Sequence, residues 1–272
     1  GHAQGDTLAN IAHLTGGSGN DRLTGNTSAN RLEGAVGNDT LTGGAGADTL
    51  VGGAGMNILE GGAGNDFYIS ESIDDLILEN QGAGADTVLA VIDFYLPAEV
   101  EVLILAPSSN AIRGTGGTGN DRIMGNSLPN ELFGGEGRDS LYGGDGANTL
   151  DGGDQNDLIM GGAKADLLVG GEGQDSLAGD SGNDTLFGGS GRDTMAGGAG
   201  NDLYIVKGNA TISSIGSEGT DTVWAYGSHT LASGVDVLQL FDVDDYDWVK
   251  VYLVVRNTYQ FDMKGNSTNR GT

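Results

Sequence analysis

The sequence predicts an all-β solenoid, a stack of two-stranded coils, on three observations. Two glycine-rich arrays keep a nine-residue register without a slip, one position of every unit is apolar, and another is always Asp or Asn. Of the 272 residues, 52 are glycine, and 38 Asp+Glu against 12 Lys+Arg give a formal charge of −26. Chains of that composition are ordinarily disordered linkers. The register is what argues for a fold.

The first array runs from Gly16 as GGSGNDRLT, GNTSANRLE, GAVGNDTLT, GGAGADTLV, GGAGMNILE and GGAGNDFYI, ending at Ile69. The second starts at Gly116 and holds ten units, from GGTGNDRIM to GGAGNDLYI, ending at Ile205. Position 1 is always glycine, and positions 2 and 4 usually are, which suits a chain that must take positive φ or approach a neighbouring backbone closely. Position 8 is Leu, Ile, Met or Tyr throughout, as in Leu41, Leu50, Leu141, Leu150 and Leu186. The unit therefore reads as a six-residue turn followed by a three-residue strand whose middle side chain points inward. Two units make one coil, with two short strands facing each other.

One apolar side chain per nine residues is a thin core against the entropy of ordering the chain. Stacking identical coils also stacks the position-6 carboxylates, which repel one another. A divalent cation between them converts that repulsion into binding, and the turns offer only oxygen: Asp carboxylates and backbone carbonyls. Such a donor set suits calcium rather than zinc. Units i and i+2 share an edge, so in the second array Asp121, Asp139, Asp157, Asp175 and Asp193 line one edge without interruption. Asn130, Asn148, Asp166, Asp184 and Asp202 line the other, which is weaker at its N-terminal end. In the first array Asp21 pairs with Asp39 and Asp48 with Asp66, while Asn30 and Asn57 dilute the rest. One Ca²⁺ at each of eight such pairs would bring the formal charge from −26 to about −10. Gln155 and Lys164 replace glycine at position 4 of neighbouring units and should weaken those turns; Lys164 also brings a positive charge near an expected ion.

The pattern GGxGxDxUx, with U apolar, resembles the nonapeptide of the RTX, or haemolysin-type calcium-binding, family. The resemblance covers residues 16–69 and 116–205, just over half the chain. It implies a right-handed parallel β-roll with multiple Ca²⁺ ions between turns. It also implies a bacterial protein exported by type I secretion that folds on meeting calcium outside the cell. The charge fits that expectation, since self-repulsion would keep a calcium-free chain open.

Residues 1–15 read as the tail of a preceding spacer. The spacers 70–115 and 206–240 resemble each other: Asp66 aligns with Asp202 and Asp86 with Asp221. GAGADTV and SEGTDTV are degenerate nonapeptides, which makes Asp86 and Asp221 further candidate ligands. Alternating apolar residues there suggest strands, forming wider coils that continue the solenoid or, alternatively, a small globular insert. Phe94, Tyr95, Trp224 and Tyr226 are expected to pack in a core or edge cap rather than to stack on sugar rings. Residues 241–272 are irregular. Their acidic cluster Asp242, Asp244, Asp245 and Asp247 lacks the glycine and terminal Glu of an EF-hand loop. VKVYLVV reads as one strand, and no export signal is identifiable in this segment.

Other classes are disfavoured. With no cysteine there is no disulfide framework and no thiolate site. The acidic balance opposes binding to nucleic acid and to anionic membrane surfaces. No apolar run is long enough for a membrane helix. His2, His13 and His229 are scattered, and HExxH, GxSxG and Walker motifs are absent, so no catalytic site is expected. The chain starts at Gly1 with no visible signal peptide and is read as a fragment of a larger protein. The alternative reading is a polysaccharide-binding accessory module of a secreted carbohydrate-active enzyme, resembling modules of mannuronan epimerases, or of an adhesin.

Overall fold

A computed structural model describes residues 12–80, 84–207, 210–214, 219–226, 237–241, 248–249, 260–261 and 267–268. His2, His229, the cluster Asp242–Asp247 and most of VKVYLVV lie outside the described residues. Within them every regular element is a strand and none is a helix. The chain divides into two compact units, Gly1–Gly125 and Asn126–Thr272, a division that falls inside the second array.

In the first unit, His13–Ser18, Arg31–Val36, Thr49–Ala54 and Phe67–Ser70 form a parallel ladder. Arg22–Thr24, Thr40–Ala45, Ile58–Ala63 and Leu76–Leu78 form a second one. In the second unit, Glu131–Glu136, Thr149–Asp154, Leu167–Gly173, Thr185–Gly191 and Leu203–Lys207 make one parallel ladder. Ser140–Gly144, Leu158–Ala163, Ser176–Ser181 and Thr194–Ala199 make the other. Within the arrays each residue faces its equivalent two nonapeptides on, as Leu32 faces Leu50 and Leu150 faces Leu168. Successive strands alternate between the two ladders, so each unit is a parallel β-solenoid, a β-roll.

Position 8 supplies the core. Its side chain is buried in all sixteen units, from Leu23 and Leu32 to Met195 and Tyr204. The strands are longer than the expected apolar triplet. They run from position 7 through position 3 of the next unit, as in Thr40–Ala45. The reason is the glycines: with no side chain at positions 1 and 2, backbone meets backbone and pairing continues past the triplet, Gly44 lying against Gly62. At position 2 the need is positive φ, for example +101° at Gly153. Ala35 (φ 79°) and Asp180 (φ 73°) take the same left-handed conformation there, as do Gln155 (φ 78°) and Lys164 (φ 70°) at position 4. A side chain costs about 1–2 kcal/mol in that region. The Lys164 side chain is exposed.

The parallel ladder also runs through residues 70–115 of the first unit, but its coils change length. Phe67 faces Thr87, Thr87 faces Val102 and Val102 faces Arg122. The first and last of these steps exceed two nonapeptides, and the middle one falls short of two. In the second unit Leu203 faces Thr222, again a long step, and Thr222 faces Val237, again a short one. The first spacer thus widens, narrows and again widens successive coils, and the second widens one coil and narrows the next. The spacer aromatics are not core: Tyr95 is 66% and Tyr226 39% exposed, and Phe94 and Trp224 are half-buried. Alternation gives the interior to Leu96, Val100, Val223 and Ala225 instead.

Candidate metal centre

Position 6 lies at the end of each turn, immediately before a strand, where the next coil covers it. Burial follows. Asp39, Asp48, Asp66, Asp157, Asp166, Asp175, Asp184, Asp193 and Asp202 are each at most 3% exposed, not on open turns as the glycine-rich sequence suggests. Asp121 and Asp139 are likewise buried, and Asp21 is half-buried.

These residues form a hydrogen-bonded ladder. The N–H of Asp21 donates to Asp39 Oδ1 at 2.8 Å, Asp139 to Asp157 at 2.8 Å, Asp157 to Asp175 at 2.9 Å and Asp184 to Asp202 at 2.9 Å. Asp86 and Asp221 are the next rungs, accepting the N–H groups of Asp66 (2.7 Å) and Asp202 (2.9 Å). A second, exposed ladder runs beside it in the opposite direction: Asn38 N–H donates to Asn20 Oδ1 and Met56 N–H to Asn38 Oδ1.

Asp21 aside, one carboxylate oxygen per rung is thus committed to the backbone. The Oδ2 of Asp21, Asp39, Asp48, Asp66, Asp157, Asp166, Asp175, Asp184, Asp193 and Asp202 is buried with no hydrogen-bond partner. A backbone carbonyl of the next coil stands nearby. A methyl group at Gly152 would lie 2.7 Å from Gly170 O and 2.8 Å from Asp157 Cγ. Position 1 is therefore glycine because a Cβ would fill the space between the carboxylate and the next coil's carbonyl. Burial pushes the Asp157 and Asp184 carboxyls up to about 7, and those of Asp166 and Asp175 to about 6. Those of Asp39, Asp48, Asp66, Asp86, Asp121, Asp193 and Asp202 are raised by the same cause.

The asparagine rungs show what the aspartate rungs lack. Asn148 takes the same place, but its Nδ2 donates to Gly146 O at 2.9 Å and to Gly161 O at 3.4 Å. Where an amide puts hydrogen against the carbonyls, Asp157 puts a bare carboxylate oxygen. A buried anion beside carbonyl oxygen is costly unless a cation stands there. The residues therefore fit a hard cation bound by carboxylate and carbonyl oxygen.

A model of the RTX calcium-binding nonapeptide repeat matches residues 15–50, 33–68, 115–150, 124–159, 133–168, 151–186 and 169–204, together more than half of the chain. The chain belongs to that RTX calcium-binding family. No curated protein matches it. The RTX ladder also includes two spacer acids: Asp75, which keeps the 18-residue step from Asn57, and Glu101, which stands 15 residues from Asp86. Asp75 Oδ1 accepts the Asn57 N–H at 3.2 Å, and Glu101 Oε2 accepts the Asp86 N–H at 2.7 Å. Each stands two residues before a buried aliphatic side chain, Ile77 and Leu103, as position 6 does before position 8. That triplet is the signal that would have found them. The last RTX unit of each array carries Tyr at position 8. Tyr68 and Tyr204 hydroxyls accept the N–H groups of Gly61 and Gly197, both at 2.7 Å. His13 stays at the surface, 3.5 Å from Glu33.

Proposed function

We propose that the chain is the calcium-triggered folding module of a secreted bacterial protein, exported as an open chain and closed into its β-roll by calcium outside the cell. The observation that carries this reading is the row of buried, unpartnered Oδ2 atoms facing backbone carbonyls. The ligands would be the position-6 carboxylates Asp21, Asp39, Asp48, Asp66, Asp121, Asp139, Asp157, Asp166, Asp175, Asp184, Asp193 and Asp202, with Asp86 and Asp221 extending the row. Bound calcium supplies positive charge between coils; the chain supplies carboxylate and carbonyl oxygen on backbone that glycine lets close. Because the rungs assemble only when coils stack, binding free energy becomes folding free energy. At cytosolic calcium levels the −26 charge keeps the chain apart.

The module acts by binding, not by catalysis: its buried carboxylates are equivalent repeats rather than an acid and a base in different surroundings. No described helix is long and apolar enough to cross a membrane. A surface groove in the second unit carries Glu136, Asp154 and Glu172 against the single cation Arg192, a net negative lining that would repel an anionic polysaccharide. Far-UV circular dichroism with chelator and with millimolar calcium tests the proposal. A β-rich spectrum only with calcium is expected; a chelated chain already rich in β-structure would refute the switch.

A further inference from the structure

The first array ends differently from the second. Asp66, Glu79 and Asp86 each bring one carboxylate oxygen within 4.8 Å of the others. Glu79 is not a position-6 residue. The pairing of Glu60 with Leu78 sets it one coil beyond Gly61, where an unbroken array would carry a position-1 glycine. In the preceding coil, a methyl at Gly43 would meet Gly61 O at 2.6 Å. At Gly61, the atoms around that point are Asp66 Oδ2, the Tyr68 hydroxyl and Glu79 Oε1. A carboxylate thus stands beside the place that a glycine carbonyl fills on interior rungs.

Two observations separate this from a chance acidic cluster. Asp66 is 2% exposed, and its Oδ2, aimed at Glu79, has no partner. Glu79 Oε1, the oxygen that faces Asp66, accepts a hydrogen bond from the Tyr68 hydroxyl, which itself accepts the Gly61 N–H at 2.7 Å and so fixes the carboxylate in place. The corresponding segment of the second array, 212–215, reads ISSI and has no acid, although Tyr204 repeats the Tyr68 bond to glycine.

We propose that Asp66, Asp86 and Glu79 form a terminal calcium site of three carboxylates that binds more tightly than the two-carboxylate sites inside the arrays. Greater ligand charge is a principal means by which oxygen sites for calcium gain affinity. The proposal rests on the calcium reading of the ladder but adds a ligand that the nonapeptide does not contain. A tight terminal site would fill first and hold the end of the roll closed while weaker sites load.

Terbium(III), a hard cation excited through nearby tyrosine, is the probe. Titrating the full chain should show a first phase of sensitised emission at low terbium. Glu79→Gln should shift that phase to about tenfold or higher concentration, while Glu60→Gln, an equal loss of charge outside the cluster, should leave it in place. Glu79→Asp should recover part of the shift. Circular dichroism at saturating calcium reports folding of each variant. A first phase unmoved by Glu79→Gln, an equal shift in Glu60→Gln, or a Glu79→Asp chain no better than Glu79→Gln would overturn the terminal site, while calcium-dependent folding of the parent chain persists. A parent chain that neither binds nor folds with calcium would overturn the ladder reading itself.

Discussion

Replacing Asp157 separates the two tasks of a rung. Asp157 Oδ1 accepts the Asp139 N–H at 2.8 Å, and the Asp157 N–H donates to Asp175 Oδ1 at 2.9 Å. Its Oδ2 has no partner. Asp157→Asn keeps the size and the acceptor but puts NH₂ where Oδ2 was, the arrangement Asn148 already has. At saturating calcium it removes one negative ligand from the two inter-coil spaces that the rung adjoins. A tenfold loss at each is about 1.4 kcal/mol per site, about 3 kcal/mol together. Asp157→Ala loses the same ligand and also the acceptor of the Asp139 N–H, a further ~1.5–3 kcal/mol for a bond to a charged group. Urea unfolding in millimolar calcium should order the chains parent, Asp157→Asn, Asp157→Ala, with steps of those sizes. An Asp157→Asn chain as stable as the parent would refute the reasoning, because the carboxylate would then be only a backbone bracket.

Three further outcomes follow from the same geometry. In chelator, the buried carboxyls raised to about 6–7 hold protons in the folded state that unfolded aspartates release near pH 4. Stability of the calcium-free fold therefore falls as pH rises from about 4 to about 7, and acidification should restore β-structure. Calcium must displace those protons, so its apparent affinity should drop below about pH 7. Circular dichroism across that range, with chelator and with calcium, checks both; a calcium-free chain that gains structure on alkalinisation would contradict them. Replacing Gln155 or Lys164 by glycine relieves a left-handed side chain while loosening the unfolded chain, a net gain of about 0.5–1 kcal/mol each. Thermal melts in calcium should rise, and a fall would show that the side chains themselves support the turn.

Much of this architecture is legible in the residues because one period controls it. The apolar residue at position 8 and the acid at position 6 are spaced so that both return to the same edge every second unit. Three features are not legible. Strand length is hidden because glycines at positions 1 and 2, which read as turn, extend the pairing once the next coil is present. Burial of the aspartates is hidden because nothing nearby in sequence covers them; the cover lies a full coil away. Glu101 is hidden because the spacer coils change length, so the register fails where the ladder itself continues; Asp75 and Glu79 keep the 18-residue step from Asn57 and Gly61 but stand where the glycine pattern has lapsed. The local triplet of acid, any residue and buried aliphatic marks both spacer rungs, at Asp75–Ile77 and, across a change of coil length, at Glu101–Leu103.

Anomalous diffraction from crystals grown with calcium tests the ladder most directly. Ions are expected between successive coils, each beside a position-6 Oδ2 and the next coil's position-1 carbonyl, as at Asp157 and Gly170. Calcium found only on outward carboxylates such as Glu136, Asp154 and Glu172, with none beside the ladder Oδ2 atoms, would contradict the account.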